Sequence, residues 1–354
     1  MPVRTTRHRS NDNHHGRRSS SSILVFVVLV LVLAAATSVP SVLGLAPKKI
    51  ALVTGSNKGI GYEIARKLVL GLGKETKSGG TDGGGFVCIL GCRSEALGTA
   101  AAERLRSEAE TKNVDASVDV VTIDLMDADT IRNAASYIQT TYGRCDVLIN
   151  NAAVCYNDPT LYGVVPHTPF AEQAEITMKT NFFGTLALTK AMMPLLLKER
   201  DGEGAVGAVV PRIINIASSA GRLAILPSEE RRAAFSSESL TLETLESYAN
   251  DFVGAAREGT HSSEGWPNTG YGVSKAAIIA MTKVLARRHR GEVVANSVDP
   301  GYCATDQNDH QGFLPAERGA ITPYLLATLP ADEASTRAEE FTGKHWYQER
   351  EIEW

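Results

Sequence analysis

Lys49-Ile50-Ala51-Leu52-Val53-Thr54, running straight into Gly55-Ser56-Asn57-Lys58-Gly59-Ile60-Gly61, is the stretch that decides how this chain is read. Its first half is a short apolar and β-branched run of strand length. After the glycines, Ile60, Ile64, Leu68 and Val69 recur at helical spacing. Strand, glycine turn and helix in that order build a particular shape. Glycines let the backbone approach a pyrophosphate, and the helix start offers it unpaired N–H groups and the positive end of a dipole. A glycine triplet by itself is equally a tight turn, so the flanking strand and helix carry the reading.

The next strand, Phe86-Val87-Cys88-Ile89-Leu90-Gly91, ends in Cys92-Arg93-Ser94. An acid here would hold the ribose 2′-hydroxyl of NAD, whereas an arginine meets the 2′-phosphate of NADP. Arg93, with Lys58 as a second cation, therefore points to NADPH/NADP, because guanidinium and phosphate match in shape and charge. Val118 to Leu125 reads as a third strand, and Asp124 at its end either accepts the adenine amino group or caps the helix beginning near Asp127. Val147-Leu148-Ile149 is a fourth strand, ending in Asn150-Asn151-Ala152-Ala153, small residues that let the backbone around Asn151 lie against the adenosine half. Gly71 to Gly85 between the first helix and second strand is a glycine-rich surface loop.

Far downstream, Tyr271-Gly272-Val273-Ser274-Lys275 opens an apolar run through Met281 that reads as a buried helix. A spacing of four puts the Tyr271 phenol and the Lys275 ammonium on one helix face. A cation held beside a phenol stabilises phenolate, so the pair is expected to exchange a proton near neutral pH.

With these motifs assembled, the chain resembles the short-chain dehydrogenase/reductase family. TGSNKGIG at 54–61, Asp124, NNAA at 150–153, TNFFGT at 180–185, INIASSAG at 214–221, YGVSK at 271–275 and DPG at 299–301 occur in that family's order. The segments 176–185 and 142–148 and the tail from Thr322 to Trp354 are similar to the monomeric NADPH-dependent carbonyl reductases within it, and the likeness covers nearly everything after residue 48. Ala153 stands where the family often has glycine, a departure of one methyl. The resemblance implies catalytic roles for Asn181, Ser218, Tyr271 and Lys275. Asn181 would distort its helix, within Glu175 to Leu188, and hold a water linking Lys275 to solvent. Ser218 lies three residues after Asn215 and three before Gly221, the family's offsets, with Ser219 as the alternative. Lys275 would also hold the nicotinamide ribose. The implied cofactor contacts are Gly55, Asn57, Lys58, Gly59, Ile60, Gly61, Arg93, Asp124, Asn151, Tyr271 and Lys275. After the strand Glu292 to Val298, Pro300, Gly301, Cys303 and Thr305 join them, the backbone meeting the nicotinamide carboxamide and Thr305 the phosphates. Cys303 is read as a backbone contact, since no adjacent base activates its thiol, and Tyr302 as a wall of the substrate mouth. His289 and His310 have no evident partner.

Between Ser218 and Tyr271 the interval is long, as in those reductases. Its segment Ser228 to Glu264 is acidic and sets Leu242, Leu245, Tyr248, Ala249, Phe252 and Val253 at helical spacing. Such helices would cover the surface that other family members use to associate, so a monomer is expected. The substrate pocket should be shaped by Ser228 to Trp266 and Gly312 to Thr322.

Residues 1–48 stand apart. Arg4, Arg7, Arg9, Arg17 and Arg18 against Asp12 precede a charge-free run from Ile23 to Ala36, then small residues and Pro40. A basic segment, a short apolar core and small residues are the order of a secretory signal, either cleaved or retained as an anchor through residues 23–45. The expected location is the endomembrane system, in the endoplasmic reticulum lumen or membrane, with a plastid or cytosol-facing membrane as the alternative. A net charge of −4, with no cluster of basic residues beyond the first eighteen, gives no case for nucleic acid. Five cysteines form neither a CxxC pair nor a metal-ligand spacing, so no metal site is expected and most should be small core residues.

The expectation is one α/β domain over 49–354, a doubly wound parallel sheet of order 3-2-1-4-5-6-7 with helices on both faces. Its reaction would be NADPH-dependent reduction of a ketone, aldehyde or quinone. An NAD(P)-dependent alcohol dehydrogenase working oxidatively, or a non-catalytic NADP(H)-binding sensor, are the alternatives.

Overall fold

The computed structural model describes residues 48–71, 85–156, 168–198, 210–329 and 338–354. The amino-terminal segment and most of the Gly71 to Gly85 loop lie outside these residues. No helix among the described residues is long and apolar enough to cross a membrane. The chain divides into two units, residues 1–46 and 47–354, and the architecture below is that of the second.

β1 (Lys49–Thr54) is paired on both sides by parallel strands, with β2 (Phe86–Cys92) on one flank and β4 (Val147–Asn150) on the other. Its residues alternate between two cores. Ile50 and Leu52 join one apolar cluster and Ala51 and Val53 the other, because successive side chains on a strand point to opposite faces. Both faces are covered, so a continuous apolar run is what such a strand requires. β3 (Ser117–Thr122) adds beyond β2, β5 (Arg212–Ile216) beyond β4, then β6 (Val294–Asp299) and β7 (His345–Tyr347), all parallel.

The order is therefore 3-2-1-4-5-6-7 as expected, with one addition. β8 (Arg350–Ile352) folds back antiparallel on β7 through a tight turn in which Gln348 and Glu349 both take positive φ, 47° and 61°. Neither residue is glycine, so the turn carries no sequence signal and the strand went unseen. β3 also stops at Thr122 and not at Leu125, because β2 supplies partners only as far as Cys92.

Between the strands run α1 (Gly59–Leu70), α2 (Glu95–Thr111) and α3 (Ala128–Tyr142). The long helix expected from Glu175 to Leu188, with a distortion at Asn181, is three pieces: α4 (Phe170–Met178), a π-helical turn (Lys179–Gly184) that contains Asn181, and α5 (Thr185–Leu196). Gly184 explains the tight fit there, since a Cβ at this residue would sit 2.2 Å from the Leu125 carbonyl oxygen. The segment after β5 holds α6 (Glu229–Ser236) and α7 (Leu242–Glu258). α7 starts on a Thr241 side chain that accepts from Thr244 N, ends on left-handed Gly259, and packs Leu245, Ala249 and Phe252 against α4 and α8 (Gly270–Arg288). α8 in turn is wrapped on nearly every side, which is why its apolar residues show no single stripe. Short helices α9 (Ala316–Gly319), α10 (Ile321–Thr328) and α11 (Ala338–Phe341) precede β7.

Candidate active site

Two clefts lie side by side along the carboxyl ends of the strands, where the strand order reverses on either side of β1. The first, of about 400 Å³, is lined by the glycine turn, Arg93, Asp124, the segment from Asn151 to Cys155, and Thr305 to Gln307. The second, of about 380 Å³, is lined by Ser218, Ser219, Tyr271, Lys275 and the loop from Asp299 to Cys303. Ile60, Asn151, Ala153, Cys155, Thr305 and Gln307 border both, so the two form one groove.

The first cleft has the features of a site for a dinucleotide. α1 begins with no side-chain cap, and its first turn contains no acid. Its leading N–H groups thus keep their capacity for an anion. Gly55 and Gly59 adopt positive φ, 65° and 59°, and a Cβ on Gly61 would lie 2.4 Å from Asn151 Nδ2 and 2.5 Å from Gly55 O. Thr180 lines this cleft, and its buried hydroxyl has no hydrogen-bond partner among the described residues. A buried orphan hydroxyl is costly unless something bound satisfies it. Arg93 is exposed at the rim, where an ionic ligand can reach it.

Several expected cofactor contacts line the groove and also act as struts. Asn151 directs its amide to Thr54 O (2.8 Å) and Gly55 O (3.3 Å), fixing the glycine turn to β4. Asp124 accepts from Met126 N at 2.9 Å, while the cap of α3 is Asp127, so the capping role moves three residues on. Lys58 pairs with Asp306 at 2.6 Å across the cleft mouth, and Asn57 takes the Arg104 guanidinium on its carbonyl. Thr305 borders both clefts, although its hydroxyl also closes a capping box with Asn308. Pro300, Gly301 and Cys303 line the second cleft, and burial pushes the Cys303 thiol up, as suits a structural cysteine. His310 does have a partner, Asp306 at 3.0 Å, and His289 has Glu292 at 3.1 Å.

In the second cleft, Ser218 caps a short turn (Ser219–Gly221), its Oγ accepting from Ala220 N at 3.1 Å. Tyr271 stands opposite it in the first turn of α8, and Lys275 follows one turn later. Lys275 is 3% exposed; its ammonium donates to Ile216 O at 2.7 Å and lies 5.5 Å from the centre of the Tyr271 ring. Burial pulls its pKa down to about 8, against a smaller opposing effect of Cys155 and Asp299. The phenol does not behave as expected from the sequence. Burial raises the Tyr271 pKa, the neighbouring Cys155 adds to this, and hydrogen bonding from Ser218 and Gln307 offsets only part of it. Desolvation of the phenolate is the largest effect on Tyr271, larger than anything its polar neighbours offset. Of the two candidate serines, both of which line the cleft, Ser218 is the one whose side chain acts on the phenol.

Asn181 sits behind the groove and does not line it. Its Nδ2 donates to Val154 O (2.9 Å) and Ser274 Oγ (3.1 Å), and its Oδ1 accepts from Val154 N (2.8 Å). It ties the end of β4 to the helix carrying Tyr271 and Lys275. Both amide donors are engaged, so any water would have to be held by the oxygen or by the backbone of the π-turn.

Three residues escaped the sequence reading. Cys155 and Gln307 stand at the junction of the clefts, and Thr180 inside the first. Each is close to a motif already singled out: Cys155 five residues beyond β4, Gln307 two beyond Thr305, and Thr180 one before Asn181. Position at a strand's carboxyl end was the available signal.

Residues 49–227 match the family model described as short chain dehydrogenase. Carbonyl reductase (NADPH) 1 of Mus musculus is 33% identical over 291 residues, covering 80% of this chain and 92% of that protein. Among solved structures, salutaridine reductase from Papaver somniferum is similar with a TM-score of 0.68 at 27% identity, covering 84% of this chain and 99% of its own. Menthone neomenthol reductase from Mentha piperita gives 0.64 at 26%, with 86% and 99% covered.

Proposed function

Since this chain belongs to the short-chain dehydrogenase/reductase family, we propose that it is an NADPH-dependent reductase of a small ketone, aldehyde or quinone. The observation that carries the reading is the convergence of Ser218, Tyr271 and Lys275 on a cleft continuous with the one bounded by the glycine turn and Arg93. When bound, NADPH supplies a hydride. The residues fit it: the uncapped start of α1 and the glycine turn for the pyrophosphate, Arg93 for the 2′-phosphate, and the Thr180 hydroxyl for a polar group inside the cleft.

The chain's own contribution is placement and proton transfer. Ser218 donates a hydrogen bond to the substrate carbonyl oxygen, stabilising it as negative charge grows there. Tyr271 gives that oxygen a proton. Burial keeps the phenol in its protonated form across the neutral range, the form a proton donor needs in reduction. Lys275, charged below about pH 8, stabilises the phenolate left behind. Asn181 positions this helix through Ser274.

Tyr271→Phe is the test. NADPH binding, followed by fluorescence, should be retained, and oxidation of NADPH by a panel of quinones, aldehydes and cyclic ketones should cease. Surviving turnover would remove Tyr271 from the role. We also propose a monomer, because α7 covers α4 and α8. For residues 1–48 we propose entry into the endomembrane system, which sequencing of the mature amino terminus would examine.

A further inference from the structure

The β7–β8 hairpin contributes nothing to the groove lining, yet it grips both walls of the second cleft. At its turn, the Glu349 carboxylate receives Arg318 Nη1 at 2.6 Å and Nη2 at 2.9 Å, and Thr322 Oγ1 at 3.0 Å. Arg318 precedes Gly319, where a Cβ would fall 2.6 Å from Cys303 Sγ and 3.3 Å from Pro300 O. The hairpin turn thus presses α9 against the loop that forms one wall.

Beyond β8 the chain crosses to the other wall. The Trp354 ring packs on the apolar core and its Nε1 donates to Gly221 O at 2.7 Å. Gly221 N in turn donates to Ser218 O at 2.9 Å, closing the turn whose first residue is Ser218. Gly221 has no room on its inner side, since a Cβ there would lie 2.5 Å from the Lys275 carbonyl carbon. α8 holds the turn from within and the Trp354 indole from without.

We propose that Trp354 is a positioning residue for Ser218: its indole N–H fixes the Gly221 carbonyl, and with it the distance of the Ser218 hydroxyl from Tyr271. The proposal rests on the carbonyl-contacting role given to Ser218 above. A small displacement of that hydroxyl acts on the chemical step, because only a correctly placed donor stabilises the developing charge. Cofactor affinity should be spared, since the glycine turn is held by Asn151 and by Gly91 O, and Arg93 directly follows β2.

Trp354→Phe keeps a ring against the core and deletes only the donor. In the full chain, with NADPH and a 1,4-naphthoquinone, kcat should fall about fivefold, the effect of one neutral hydrogen bond, while the Kd for NADPH stays within about twofold. In a Ser218→Ala background the same change should alter kcat by less than about twofold, because the group it positions is gone. An unchanged kcat in Trp354→Phe, a loss that adds fully to that of Ser218→Ala, or a loss of NADPH affinity in step with kcat would each overturn the proposal. Undiminished kcat in Ser218→Ala alone would instead refute the role of the serine.

Discussion

Replacing Lys275 by methionine should make the protein more stable and inactive at once. The side chain is 3% exposed, and burial lowers its pKa from 10.5 to about 8. Between those two values the unfolded chain binds a proton that the folded chain does not, so this group's contribution makes stability rise with pH through that window. Below about pH 8 the charge is carried in both states and the burial cost is fully present. At about 1.4 kcal/mol per pKa unit, the cost at pH 7 is about 3 kcal/mol. Methionine has similar length and no charge, but it leaves Ile216 O without its Nζ donor, a loss of about 1 kcal/mol. The net gain at pH 7 is about 2 kcal/mol, a rise in Tm of about 3 °C for a folded unit of roughly 300 residues. At pH 9.5 only about one unit of the shift remains, so the gain should shrink to about zero. Thermal melts of Lys275→Met and the unmodified protein at both pH values measure this, and NADPH oxidation measures the loss of turnover. A variant no more stable at pH 7, or equally stabilised at both pH values, would refute the burial argument.

Arg93→Glu should weaken NADPH by about tenfold or more while changing NADH little, since one charge-assisted contact to phosphate is removed and an acid installed; comparing the two dissociation constants checks it. Light scattering on the purified protein should give the mass of a single chain, and a stable dimer would contradict the reading of α7 as a cover for α4 and α8.

Much of the fold was legible because parallel strands buried on both faces read as near-continuous apolar runs, as in IALV at 50–53, FVCIL at 86–90 and VLI at 147–149. The helix around Asn181 was legible as a helix, and the resemblance implied a distortion at Asn181; its form, a π-turn over Lys179–Gly184 packed so that Gly184 lies against Leu125 O, was not. β8 was invisible for a related reason: its turn is stabilised by Arg318 and Thr322, partners some thirty residues away.

The sequence by itself determined the order of the elements, the cofactor chemistry implied by Arg93 and the pairing of Tyr271 with Lys275, because these follow from periodicity, from what stands at a strand's end and from spacing within one helix; the place of Ser218 beside them was implied by the resemblance to the family. The sign of the Tyr271 shift, the commitment of Asn151 and Asn181 to backbone, the place of Cys155 between the clefts and the reach of Trp354 to Gly221 were decided only by tertiary structure. Desolvation and hydrogen-bond partnership depend on what surrounds a group in three dimensions, and most of that surrounding comes from far along the chain.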